Sequence, residues 1–206
     1  MRINLNRLQR IQSALEMYIQ NVIPNRETST EEQIIQCSDL ANRVALRYKN
    51  LIDREVVCDD FVESGILKFE EGMNSHGILF DRLTILLCKK YLAAPEYFSI
   101  EETAQQIKGV GKSLSYAALA RTPMLAKEAT TRITSAPESL GTALISLQLS
   151  NILMWINQDL LYTTNVNNVS ESRLRDYIKF FGTSNSSRNL AIESIDLWVS
   201  NKFTER

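Results

Sequence analysis

Only seven glycines and four prolines punctuate the 206 residues of this chain. Strands need a turn at either end, and turns draw on these two residues, so this sparse supply favours a fold of long helices. The hydropathy pattern agrees. Leu8, Ile11, Leu15, Tyr18, Ile19 and Val22 recur at three- and four-residue steps, which predicts an amphipathic helix over residues 3–23 that Pro24 stops. A second stripe of Ile34, Cys37, Ala41, Val44, Tyr48 and Leu51 follows Ser29-Thr-Glu-Glu32, where hydroxyl and glutamate have the spacing of a capping box.

Further along, Asp59 and Asp60 are expected to open a shorter helix reaching about Glu71, with a break over 72–77. Residues 78–92 are apolar on most faces and are predicted to form the central core helix. Pro95 ends that region. Ser99-Ile-Glu-Glu102 is a second capping box, leading a short helix that stops before Gly109. Helices are then expected to about Ala120, over 123–134 and over 137–162, followed by a polar loop over 163–168. Ser170 caps a helix to Phe181, 182–187 is the last break, and a final helix carries Leu190, Ile195, Trp198 and Val199. No strand-like alternation with hairpin signals occurs. The expectation is an all-α fold: one globular bundle of about eight or nine helices over 1–206, with room for two lobes divided near 95–99. Ser75-His76-Gly77 and Ser139-Leu140-Gly141 both precede apolar helices, which otherwise agree at too few positions to read as a repeat.

Several classes of function are disfavoured. A net charge of −1 gives no overall pull toward nucleic acid or an anionic surface, so such a partner would need a local patch. Cys37, Cys58 and Cys88 are odd in number and lack Cys-x-x-Cys spacing, which argues against a disulfide framework or a thiolate zinc site. With His76 as the single histidine, any mechanism needing two imidazoles is excluded. His76 is expected at the surface, in a turn before Asp81 and Arg82. The N-terminus has no continuous apolar core and no apolar run is read as long enough to span a bilayer, so a cytoplasmic protein with no membrane partner is expected. No catalytic residue, metal ligand or cofactor is assigned.

The segment with the most defined chemistry is Ile107-Lys108-Gly109-Val110-Gly111-Lys112-Ser113. Two closely spaced glycines between helical patterns predict a tight turn, whose outward N–H groups can hold a phosphate at the start of the next helix. It is not a nucleotide-binding P-loop, because Gln106 stands where the first glycine belongs and a helix precedes it. The pattern Ile107, Gly109, Val110, Gly111 and Ser115 resembles the helix-hairpin-helix motif of DNA-binding proteins, over about residues 100–119. That resemblance implies contact with DNA phosphates through Gly111, Lys112 and Ser113, without sequence readout. Between Thr103 and Ser135, Lys108, Lys112, Arg121, Lys127 and Arg132 face the single acid Glu128, a local charge of +4. A solvated basic face beside a helix end is the alternative reading.

Two further resemblances are weaker. Asp59, Asp60 and Glu63, with Asn185, Asn189 and Glu193, resemble the two magnesium-diphosphate motifs of class I isoprenoid synthases, although Asn189 stands where serine or threonine is usual. Helix capping explains the acidic pairs equally well. Gly77, Asp81, Arg82, Leu83, Thr84, Ile85 and Leu86 resemble a segment of uncharacterised helical bacterial proteins, and no activity comes with that likeness. The reading is a non-catalytic helical binding subunit. Its partner is DNA contacted through Gly109, Val110, Gly111 and the basic face, or else a protein or a second copy of the chain.

Overall fold

The computed structural model describes residues 2–23, 30–63, 75–93, 99–116, 139–163 and 169–204. Among them, six helices make the fold: α1 (Leu5–Val22), α2 (Thr30–Val56), α3 (His76–Leu92), α4 (Ile100–Tyr116), α5 (Leu140–Thr163) and α6 (Glu171–Thr204). A two-residue antiparallel ladder joins β1 (Arg2–Ile3) to β2 (Val62–Glu63), with Ile3 opposite Val62. The fold is all-α as expected; six helices lie among the described residues, where eight or nine were expected over the whole chain. The helix expected over 123–134 lies outside them, as does most of the loop expected over 163–168.

The two glycine breaks expected inside helices are not breaks. Helix α4 runs through Gly109 and Gly111 because its buried stripe Ile107, Val110 and Leu114 continues across both glycines at helical spacing. Helix α6 runs through Gly182 and the polar residues after it as one element of 34 residues. Its half-buried face, Leu174, Tyr177, Phe181, Ser184 and Arg188, lies along one side of the helix, and α6 packs on α5. Tertiary contact there overrides poor local propensity, and no proline intervenes. The reverse holds at Asp59 and Asp60, where no helix starts: residues 57–61 turn and feed β2. Asn4 donates its backbone N–H to the Phe61 carbonyl at 2.8 Å, so this turn is tied to the entrance of α1.

Local signals do fix most helix starts. The Asn4 side chain accepts from the Asn6 N–H at 2.9 Å, the Ser99 hydroxyl from Glu102 N–H at 3.2 Å, and the Ser170 hydroxyl from Arg173 N–H at 3.3 Å. Helix α1 ends at Val22, with Ile23 extended before Pro24.

The core is one cluster to which all six helices contribute. The α1 stripe is buried throughout, and the Tyr18 and Tyr48 rings meet edge to face at 5.6 Å, with the Asn21 amide donating to the Tyr48 hydroxyl at 2.8 Å. Helix α3 is buried on most faces, as its sequence predicts. It shares the centre with α5, which packs on α1, α2, α3 and α6. Residues Leu140–Tyr162 are long and apolar enough, by length and composition, to cross a membrane, contrary to the sequence expectation; 61% of that window is buried inside the bundle. His76 is also placed differently than expected. It is the first residue of α3 and is buried, because the helix start docks against α6.

That docking is built twice. At the start of α3, the Gly77 N–H donates to Asp196 Oδ1 at 2.7 Å, and a Cβ on Gly77 would meet the Ile192 carbonyl oxygen at 2.3 Å. At the start of α5, the Gly141 N–H donates to Asp53 Oδ1 at 2.8 Å, and a Cβ there would meet the Lys49 carbonyl oxygen at 2.5 Å. In both, a serine two residues before the glycine caps the helix. In both, the aspartate lies one turn beyond the crowded carbonyl.

The glycines therefore fall into two kinds with opposite expected behaviour. Gly77→Ala and Gly141→Ala should each destabilise by more than about 2 kcal/mol, since the obstruction is backbone rather than a movable side chain. Gly109→Ala, where a Cβ meets nothing within 4 Å, should stabilise by about 0.5–1 kcal/mol as an ordinary gain in mid-helix propensity. Urea unfolding of the three variants checks both signs; a large loss in Gly109→Ala would contradict a continuous α4.

Candidate functional site

The residues expected to hold a phosphate lie in a regular helix. Positions 109–111 are interior to α4, so their N–H groups belong to the helical ladder and the outward-facing turn is not formed. Val110 is buried and the Ser113 hydroxyl donates to the Gly109 carbonyl at 3.1 Å. Lys108 is exposed. Arg121, Lys127 and Arg132 lie outside the described residues, as does the Lys112 side chain.

The structure instead places Lys108 and Gly111 on the wall of a groove between α1 and α4, with a volume of about 300 Å³. Leu5, Gln9, Gln12 and Glu16 line it from α1 at steps of four, three and four residues, so one face of that helix forms one wall. Ala104, Ile107, Lys108 and Gly111 form the other wall from α4. Ala104 and Gly111 are small, which keeps the groove open: the Gln12 side chain is the nearest atom to a Cβ at Gly111, at 3.9 Å. Lys90 from α3 closes one end, in an ion pair with Glu16 at 3.3 Å and 4.9 Å above the Tyr91 ring. Burial disfavours the Lys90 charge, but the Tyr91 hydroxyl and the Glu16 carboxylate outweigh it and its pKa is raised. The groove thus has two amides on its α1 wall, apolar side chains on both walls and one ion pair.

A second polar constellation lies inside, where α3, α5 and α6 meet. Arg188 grips Asp81 with two parallel bonds of 2.7 and 2.5 Å. The Asn151 amide donates to Asp81 Oδ1 at 3.1 Å and to Thr84 Oγ1 at 2.8 Å, while the Thr84 hydroxyl donates to the Asp81 carbonyl at 2.8 Å. The Gln148 amide, one turn earlier on α5, reaches the Thr84 carbonyl and the Cys88 sulfur, both at 3.4 Å. Asp81 is thus neutralised and its oxygens are occupied, which leaves it neither a free base nor a nucleophile. This seam ties helices together. Within the segment 77–86, Gly77 docks on α6, Asp81 and Thr84 hold the seam, and Leu83 and Leu86 fill the core.

One residue of each triplet meets an arginine: Asp60 receives Arg7, and Asn185 receives Arg188. Arg7 donates to Asp60 Oδ1 at 2.7 and 2.9 Å and to Glu55 Oε2 at 2.8 Å, and the bonds to Glu55 and Asp60 raise its own pKa. Arg188 stands between Asn185 and Asn189. Among the described residues no group of three His, Cys, Asp or Glu side chains is placed to hold a metal ion. Cys37 and Cys88 are buried and Cys58 is half-buried, all three as free thiols; burial pushes Cys37 up to about 12. Buried Cys37 and Cys88, both with raised pKa, are poor candidates for reactive thiolates.

Sequence reading missed Asp53, Asn151, Gln148, Arg188 and Asp196. The available signal was the pair Gln148 and Asn151, polar and three residues apart within the otherwise apolar run of α5, which marks a face with a polar partner.

Asp81 and Arg188 carry side-chain exposures of 9% and 24%, so breaking the pair should strand a poorly hydrated charge. Arg188→Met is expected to cost about 3 kcal/mol, and Asp81→Asn with Arg188→Met distinctly less than the sum of the single changes. A double-mutant cycle by chemical denaturation checks this; additive losses would deny the seam its role.

Compared with known proteins, the chain matches no family model, no curated protein and no solved structure, so its own geometry carries the functional reading.

Proposed function

We propose that this chain is a non-catalytic helical binding subunit that takes an amphipathic helix of a protein partner into the groove between α1 and α4. The observation that carries the reading is the groove itself: an open trough walled by two helices, with apolar side chains on both walls. The α1 wall from Leu5 to Glu16 is about 16 Å long at 1.5 Å per residue, enough for three turns of a guest helix. A guest presenting apolar residues at three- and four-residue spacing would meet Leu5 on one wall and Ala104, Ile107 and Gly111 on the other. The Gln9 and Gln12 amides can satisfy polar groups along its edge.

The basic run from Lys108 to Arg132 supports a second reading, weak duplex DNA contact without sequence preference. It rests on charge alone, since the phosphate-holding turn is replaced by helix.

Two experiments separate the readings. A photo-crosslinking residue at Gln12 should capture a protein partner that the same residue at Asn50, on the exposed face of α2, does not, and Ala104→Leu with Gly111→Leu should abolish the capture. A crosslink to the chain itself would make the guest a second copy. Labelled duplex titrated at low and high salt should show no binding; a log–log salt slope of roughly −2 to −4, lost in Lys108→Glu, would replace the groove reading with DNA contact.

A further inference from the structure

The groove between α1 and α4 carries its charges unevenly. Glu16 is the only acid in α1, and its Oε1 already accepts from Lys90 at 3.3 Å and from the Gln12 amide at 3.5 Å. The two arginines of α1 have acids of their own: Arg7 meets Glu55 and Asp60, and Arg10 meets Glu55. The remainder of the α1 wall, Leu5, Gln9 and Gln12, is uncharged.

Across the groove, Lys108 is an exposed cation on the α4 wall with no carboxylate partner among the described residues. One turn to either side on its own helix stand Ala104, Gln105, Gly111 and Lys112, so no acid three or four residues away neutralises it. Glu101 and Glu102 belong to the first turn of α4, about 10 Å away along the axis. The stretches that adjoin α1 and α4 outside the described residues, 24–29, 94–98 and 117–138, set Glu27, Glu96, Glu128 and Glu138 against Arg26, Arg121, Lys127 and Arg132, so their sequence supplies no net negative charge. The charge left unmatched on the two walls is positive and lies on the α4 side.

We propose, taking the groove as the binding site, that the guest is an acidic amphipathic helix: its apolar stripe lies in the trough, the flank that faces α4 carries a carboxylate against Lys108, and the flank that faces α1 is polar and uncharged. Charge complementarity selects this occupant over a basic helix. A guest cation beside Lys108 is repelled, and Glu16, the one acid among the lining residues, is held by Lys90. Because Lys108 is exposed, the selection is modest: exchanging Glu for Lys on the guest replaces attraction by repulsion and changes affinity by about ten-fold at low ionic strength, and by less as salt screens the pair.

Three fluorescent peptides of about 18 residues test this, long enough to form helix on binding. They share one stripe of leucines at three- and four-residue spacing and differ only along one flank, which carries Glu, Gln or Lys. Anisotropy titrations with the full chain should rank them Glu, Gln, Lys in falling affinity; Lys108→Glu should reverse that order, and Ala104→Leu with Gly111→Leu should abolish binding of all three. If the blocked variant does not fold, a photo-crosslinker at Gln12 that captures the Glu peptide, where one at Asn50 does not, locates the site. Equal affinities that are lost on blocking the groove overturn the acidic guest and leave the groove standing, as does a ranking that Lys108→Glu does not move. Binding that survives the block, or no binding by any peptide, overturns the groove as the site and the acidic guest with it. Displacement of the Glu peptide by an equal concentration of duplex DNA overturns a protein guest in favour of a phosphate backbone.

Discussion

Two glycine N–H groups, each bonded to an aspartate on a neighbouring helix, fix where the two central helices begin. The start of a helix carries unpaired N–H groups and a partial positive charge, so burying it is unfavourable unless an acceptor meets it. Asp196 and Asp53 are those acceptors. They can be reached only because the absence of a Cβ lets one backbone lie against another, and the same contact sets the depth at which α3 and α5 enter the core. The seam from Arg188 through Asp81 and Asn151 to Gln148 then fixes the register of α3, α5 and α6 on one another. A slip of one helical turn would leave a charge and several amides without partners in the core, which costs far more than a misplaced leucine.

This arrangement places chemistry and accessibility in different parts of the molecule. The interior holds the acid, the amides and the imidazole, but they are buried and Asp81 is saturated by its partners. The surface trough between α1 and α4 is accessible, yet it offers amides, an ion pair and apolar side chains rather than a base beside a nucleophile. The proposed binding of a guest helix draws on the trough alone.

Amphipathic stripes were readable because they report one large term, the burial of apolar faces: every predicted α1 stripe residue is buried, and α3 is core on most sides. Caps at Ser99 and Ser170 were readable because the bond is local. Glycine was misread in both directions. At Gly109, Gly111 and Gly182 it suggests punctuation, yet packing along Ile107, Val110 and Leu114, or along the α5 face, holds the helix through it. At Gly77 it looks like a loop residue, and there, as at Gly141 inside an expected helix, it is instead a point where the backbone of one helix lies against that of another. Sequence cannot separate the two cases, because the deciding atoms, the Ile192 and Lys49 carbonyls, lie far away along the chain. The burial of His76 was hidden for the same reason. The shared Ser-x-Gly pattern at 75–77 and 139–141 was visible, but its meaning lay in Asp196 and Asp53.

Helix α3 joins these features mechanically. Its first turn is held by Asp196, its middle by Arg188 and Asn151 through Asp81 and Thr84, and its last turn delivers Lys90 to the groove. Seventeen residues at 1.5 Å each put the two ends about 25 Å apart on one rigid rod. The helix is thus tied to α6 and α5 through its first turn and its middle, while its last turn faces the groove, so one element spans the buried docking point, the polar seam and the accessible trough.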